Sequence, residues 1–211
     1  MEKKRLKSPR ARLFTALDLP DEVRAGVATW QAEACADEAL RPVDEDALHV
    51  TLCFIGHRPE RAIGEAAAVV ESLEPRPVEL CLEPDPVGIG GRLPGLFAVS
   101  AVSEEAAALQ AELGEKLAGR GLYEPEQRPF WPHVTVARVR AERSSGAGAG
   151  RRRRGRPREV HRPPGELPQA LMRPFGAVRV ALYRSHLRSS GARYERLAAL
   201  QLPPATSGRE R

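Results

Sequence analysis

Two short runs, "LHVTLCFIG" (48–56) and "PHVTVAR" (132–138), each set a histidine and a threonine two residues apart within an apolar stretch of β type. Successive side chains of a strand point to opposite faces. His49 and Thr51 therefore share one face of the first stretch, and His133 and Thr135 share one face of the second. Leu48, Val50, Leu52 and Phe54 fall on the opposite face of the first, as do Val134 and Val136 in the second, so each strand keeps an apolar side to bury. Strict alternation also groups Cys53 and Ile55 with His49. If the two strands flank one cleft, two imidazoles and two hydroxyls converge there.

That set suits cleavage of a phosphodiester without a metal. One group must take a proton from the nucleophile and another must protonate the leaving alkoxide, and an imidazole near its unperturbed pKa of about 6.5 can do either. The threonine hydroxyls can donate to non-bridging phosphate oxygens. Zinc would want three or four ligands, and no Asp, Glu or Cys is repeated beside both histidines; Cys53 accompanies only the first. No metal and no other cofactor is expected. One His-x-Thr in a strand is ordinarily a packed histidine, but two copies in a chain with five histidines are a different matter. His57, His161 and His186 have no such setting and are read as solvated.

The elements that must position these residues follow from periodicity and punctuation. A strand over 12–20 closes at Pro20, and a helix over 21–36 follows with Asp21 as its cap. The first His-x-Thr strand ends at Gly56. A second helix covers 62–73, and two strands joined by a Gly/Pro-rich connection occupy 77–102. A third helix over 103–121 begins at a Ser103 cap and stops at Gly119 and Gly121. The second His-x-Thr strand covers 129–140, a short helix 165–173, and a hairpin around 189–191 closes the chain. Each half holds a helix leading into a His-x-Thr strand and then a strand pair. The order implies an α+β protein of two similar lobes, each an antiparallel or mixed sheet backed by helices, with a central cleft.

The chain's 211 residues suit one domain. Expected boundaries are a basic tail at 1–11, a single bilobal domain over 12–202, and a tail at 203–211. The domain is interrupted by an arginine-rich, disordered insert at about 141–164. Three cysteines without paired spacing argue against a disulfide framework and suit a reducing cytosol. No apolar run is long enough to span a membrane and no secretory signal is evident, so a cytoplasmic monomer is expected. The formal net charge of +5 invites a nucleic-acid reading, but Arg140 to Arg162 alone holds nine arginines against two glutamates. The remainder is mildly acidic, so the high pI says little about the cleft.

The two motifs resemble the signatures of the two-histidine (2H) phosphoesterases, specifically the RNA 2′,3′-cyclic phosphodiesterases of the 2′-5′ RNA ligase family. "RLFTALDLP" near the start and "LYRSHLRSSGARYERLAAL" near the end are similar to that family's opening and closing strands. The resemblance implies a bilobal duplicated α+β fold and a 2′,3′-cyclic phosphate on an RNA or nucleotide end as substrate. Water would open it to a 2′-phosphate. It implies His49 as general acid, His133 as base on water, and Thr51 and Thr135 as phosphate holders. Arg138 matches an arginine that assists at the phosphate, and Phe54 an aromatic position near the nucleobase.

Arg138 and Phe54 each lie five residues after a histidine, and strict alternation puts them on the wrong face; a bulge could turn them inward. Phe130 and Trp131 could stack a base or pack at the start of the strand. The tract "RRRRGRPR" is read as a solvated insert, with collection of RNA phosphates as the other reading. Three alternatives stay open: a different small cyclic phosphate as substrate, 2′-5′ ligation of RNA, and a non-catalytic RNA-binding module.

Overall fold

The opening strand is almost wholly apolar because it is buried on both faces. In the computed structural model, which describes residues 9–142, 155–188 and 191–205, β1 (Arg10–Asp18) runs antiparallel between β3 (His49–Pro59) and β9 (Arg179–Arg188). Leu13 through Asp18 are all buried. β10 (Gly191–Gln201) pairs with β9 as the last strand of this lobe; residues 189–190, between them, lie outside the described residues.

The second lobe is built on β6 (Pro94–Val102) and β7 (His133–Val139), with β4 (Glu79–Leu82), β5 (Val87–Gly90) and β8 (Phe175–Gly176) paired around them. β2 (Leu40–Pro42) adds to the edge of β7 that β3 leaves uncovered. The two expected sheets are joined into one ten-stranded sheet along the path β10-β9-β1-β3-β7-β6-β4-β8, with β2 added on β7 and β5 on β6. The junction is narrow: β3 and β7 meet at the single pair Val50 and Val134, and the strands splay from there.

Three helices cover the apolar faces. In α2 (Ala62–Glu71) the buried positions are Ala62, Ala66, Val69 and Val70; in α3 (Glu104–Gly119) they include Ala106, Leu109, Leu113 and Leu117. Both sets follow helical spacing. Leu109, Leu113 and Leu117 have no exposed surface, and burying each contributes about 2 kcal/mol. Ser103 caps α3, its hydroxyl accepting from the amide of Ala106 at 3.0 Å, and Gly121 leaves the helix with φ +68°, a conformation glycine adopts without cost. α1 (Asp21–Ala34) buries Val27, Trp30 and Gln31 against β7 and the chain before β8.

Several expectations are corrected. Pro20, not Asp21, is the residue before the first turn of α1; Asp21 lies inside that turn and pairs with Arg24 at 2.7 Å. β3 does not stop at Gly56, which takes φ +78° and lets the strand continue to Pro59. The two strands expected over 77–102 are three. The helix expected at 165–173 is a single 3-10 turn at Gln169–Met172, short because Pro168 precedes it and Pro174 follows closely.

Residues 155–164, counted above in the arginine-rich insert, are fastened to the body. Glu142 donates its amide to the carbonyl of Arg156 (2.8 Å) and Arg158 to that of Arg140 (2.9 Å). The carboxylate of Asp37 accepts from the amides of His161 and Arg162 at 2.9 and 2.8 Å. The expectation of disorder for 143–154, and most of both expected tails, falls on residues outside the described ones. No helix among the described residues is long and apolar enough to cross a membrane.

Candidate functional site

The pair Val50–Val134 fixes how the two motifs meet. Continuing the antiparallel register one residue either way sets Thr51 toward His133 and His49 toward Thr135. The two valines are fully buried, while all four polar residues are half-buried on the cleft side.

Both imidazoles are held by the same device. Nδ1 of His49 lies 2.8 Å from the carbonyl of Ala47, and Nδ1 of His133 lies 2.8 Å from the carbonyl of Trp131. A carbonyl only accepts, so both Nδ1 atoms carry hydrogen and both Nε2 atoms are left for chemistry. His49 Nε2 is 3.1 Å from the Thr51 hydroxyl, which donates to it when the ring is neutral.

The surroundings of the two rings differ. His49 is stacked on Phe14 (centroids 5.1 Å) and meets the edge of Tyr194 (5.3 Å), and Phe14 is itself stacked on Tyr183 (5.4 Å). Burial in this aromatic bracket, followed by the charges of Arg138 and His133, pushes the His49 pKa down to about 4 against the opposing effect of the Ala47 bond. The ring is neutral at physiological pH. His133 instead stacks on Trp131 (4.4 Å) at the more open side.

The conflict over Phe54 and Arg138 is resolved by a bulge in each strand. The motif strands have the same burial sequence: half-buried His and Thr alternate with buried Val and Leu or Val. Then comes a second consecutive buried residue, Cys53 or Ala137, and an exposed Phe54 or Arg138. The register slips at these points, between Thr15 and Ala16 opposite β3 and between Phe97 and Ala98 opposite β7. One extra residue moves the fifth position onto the cleft side. Cys53 and Ile55, grouped with His49 by strict alternation, go into the core.

Each bulge is braced by a buried polar side chain. The Thr15 hydroxyl accepts from the Cys53 amide at 3.1 Å. The carbonyl of Val136 accepts from the Val43 amide (3.0 Å) and from the side-chain amide of Gln31.

Two adjoining hollows make up the cleft. One, of about 320 Å³, is lined by His49, Thr51, Phe54, Thr135 and Arg138 together with Arg12, Arg41 and Tyr194, and by no Asp or Glu. The other, of about 640 Å³, is lined by His133 and by an apolar and aromatic set including Phe130, Trp131 and Tyr123. Thr51 and Phe54 line both. All six residues singled out in the sequence thus border one continuous cleft.

The sequence reading missed Arg12, Phe14, Arg41 and Tyr194. Alternation in "RLF" could have flagged Arg12 and Phe14 as sharing a face; Arg41 and Tyr194 gave no signal. The other three histidines stay apart: His57 and His161 are exposed, and His186 pairs with Glu195 at 2.8 Å. Among the described residues no group of three or more His, Cys, Asp or Glu gathers that could hold a metal ion.

Comparison with known proteins places the chain among relatives of one family. The chain is 32% identical over 140 residues to the RNA 2′,3′-cyclic phosphodiesterase of Escherichia coli (strain K12), covering 62% of this chain and 73% of that protein. It is 32% identical over 141 residues to the protein of the same name from Thermus thermophilus, covering 62% and 69%. Its fold superimposes on the crystal structure of a Thermus thermophilus protein with TM-score 0.71 at 26% identity, over 90% of this chain and 97% of that one. For Escherichia coli LigT in apo form the TM-score is 0.69 at 24% identity, over 92% and 99%. The family model of the 2′-5′ RNA ligase superfamily matches residues 19–151, a span that holds both His-x-Thr strands and the helices between them. With that match laid over the crossed His–Thr pairs, the chain belongs to the 2′-5′ RNA ligase superfamily.

Proposed function

We propose that this protein is a cyclic phosphodiesterase that opens the 2′,3′-cyclic phosphate of an RNA or nucleotide end to a 2′-phosphate, using its two histidines and no metal. The observation that carries the reading is the crossed arrangement of His49, Thr51, His133 and Thr135 on one side of the Val50–Val134 junction. Both histidines border a cleft whose basic hollow has no Asp or Glu in its lining. The names of the relatives supply the substrate class.

In this mechanism Thr51, Thr135 and Arg138 hold the non-bridging oxygens. Nε2 of neutral His133 takes a proton from water as the water oxygen bonds to phosphorus. The P–O3′ bond breaks, and protonated His49 gives its Nε2 proton to the departing O3′. The products are a 3′-hydroxyl and a 2′-phosphate, with His49 neutral and His133 protonated until solvent resets them. His49 is neutral in the empty cleft, so its acid role requires the anionic substrate to raise its pKa on binding. In this reading Phe54 contacts the nucleobase; its place on both hollows and the aromatic lining beside His133 support that role.

The test is incubation with adenosine 2′,3′-cyclic phosphate in EDTA, with product identified by phosphorus NMR. Adenosine 2′-phosphate is expected. No ring opening, or a 3′-phosphate product, would refute the reading.

A further inference from the structure

The basic hollow carries more positive charge than one cyclic phosphodiester calls for. A 2′,3′-cyclic phosphate has a single negative charge, and Arg138 with two threonine hydroxyls already suits it. Yet two further arginines line the same hollow of about 320 Å³. Arg12 comes from β1, its guanidinium 4.9 Å from the centre of the Phe54 ring. Arg41 comes from β2 and stands directly across from Arg138 in the β2–β7 ladder. Three strands thus bring arginines to one small space with no carboxylate in its own lining, Asp44 bordering the adjoining hollow beside Arg41 and Arg138. Among the described residues no ion pair engages Arg12. Such a space suits a ligand with more than one anionic group, and planar guanidinium forks match phosphate oxygens.

An RNA end offers that second group next to the reacting one: the phosphodiester that joins the last nucleotide to the one before it. We propose that Arg12 and Arg41 form a second phosphate subsite that receives this linkage, so that the cleft selects RNA ends over mononucleotides. The proposal rests on the reading above that the histidines open a 2′,3′-cyclic phosphate. Arg12, stacked on Phe54, fixes where the terminal nucleoside lies between the two phosphates, and Arg41 draws the linkage toward Arg138.

The experiment compares kcat/KM for four probes. They are adenosine 2′,3′-cyclic phosphate, its 5′-phosphorylated form, the adenosine dinucleotide ending in a 2′,3′-cyclic phosphate, and that dinucleotide with a neutral methylphosphonate linkage. The unmodified dinucleotide is expected to exceed the first probe by about tenfold or more, and the methylphosphonate to fall back to the first probe's level. Arg12→Gln is expected to narrow the preference about tenfold, Arg12→Lys to keep most of it, and rising salt to weaken it. Because the readout is a ratio, partial loss of folded protein cancels.

Equal rates on the two dinucleotides, or an unchanged ratio in Arg12→Gln, would overturn the subsite. A 5′-phosphorylated mononucleotide that outruns the dinucleotide would overturn the selection of RNA ends. If no probe turns over, the cyclic phosphodiesterase reading itself fails and the subsite with it.

Discussion

Gln31, on α1, donates its side-chain amide to the carbonyl of Val136, the residue that swells β7 between Thr135 and Arg138. A bulge leaves backbone groups outside the ladder, and a buried carbonyl without a donor costs stability. Gln31 is itself 2% exposed, so its amide serves this carbonyl and that of Val43. Replacing it with leucine keeps the volume and removes this donor, leaving the Val136 carbonyl with the Val43 amide alone. Gln31→Leu is expected to cost about 0.5–1.5 kcal/mol in urea unfolding. It is also expected to lower kcat/KM on adenosine 2′,3′-cyclic phosphate about tenfold under conditions where the variant is folded, since the proposed mechanism needs Arg138 held at the phosphate. Unchanged stability and rate would show that the bulge needs no brace.

Thr15 does the same for the other motif. Its hydroxyl, fully buried, accepts from the Cys53 amide where β3 bulges ahead of Phe54. Valine has nearly the same shape but cannot accept. Thr15→Val is expected to lose about 1–2 kcal/mol, and Thr15→Ser to recover most of it. Parallel urea titrations of the two variants check this. Equal losses would point to packing of the methyl group instead.

These braces explain what could and could not be read from the sequence. Alternation correctly put His49, Thr51, His133 and Thr135 on cleft faces, because the two valines between them are core residues by chemistry. The Ser103 cap and the leucine spacing of α3 were also local. The bulges were not. Leu52–Cys53 and Val136–Ala137 are plain apolar pairs, and the groups that stabilise their distorted backbone stand 38 and 105 residues away in the chain. β2 escaped notice for a similar reason: three residues, "LRP", become a strand only because β7 has an edge there to pair with. Arg41 joined the site by that pairing alone.

The depressed pKa of His49 makes a stability prediction. With a folded value of about 4 and an unfolded value of about 6.5, the unfolded chain binds more protons between those two pH values. The contribution of His49 is therefore fully present above about pH 6.5 and is lost as pH falls toward 4. Relative to pH 7.5, the difference amounts to about 2 kcal/mol at pH 5. His49→Gln, which does not titrate, is expected to lose that much less stability than the wild type over the same interval. Unfolding titrations of both proteins at pH 7.5 and 5 measure it. Parallel pH profiles would mean that the ring is not held neutral by burial.

Proton roles can be separated by changing the leaving group. A cyclic phosphorothiolate with sulfur at the 3′ bridging position departs as a thiolate and needs no general acid. His49→Ala is expected to lose on the order of 10²–10⁴-fold with the ordinary cyclic phosphate and to regain most of it with the sulfur analogue. His133→Ala, which removes the proposed base on water, is expected to lose activity on both. Rescue of the His133 variant instead would exchange the two roles.

The arginine tract offers a last prediction, because its stems nearly touch. The Glu142 carbonyl oxygen stands 2.7 Å from where a Cβ on Gly155 would lie, and the Glu142 amide bonds the carbonyl of Arg156. A two-glycine link can therefore replace residues 143–154 without moving either stem. The anchor at Asp37, which accepts from the amides of His161 and Arg162, remains. Excision is expected to leave unfolding stability within about 0.5 kcal/mol and turnover of adenosine 2′,3′-cyclic phosphate unchanged. It removes five arginines, so binding of a long RNA is expected to weaken, with a flatter dependence on salt. Loss of turnover on the mononucleotide would mean instead that the tract completes the cleft, since a substrate that small reaches only the groups lining it.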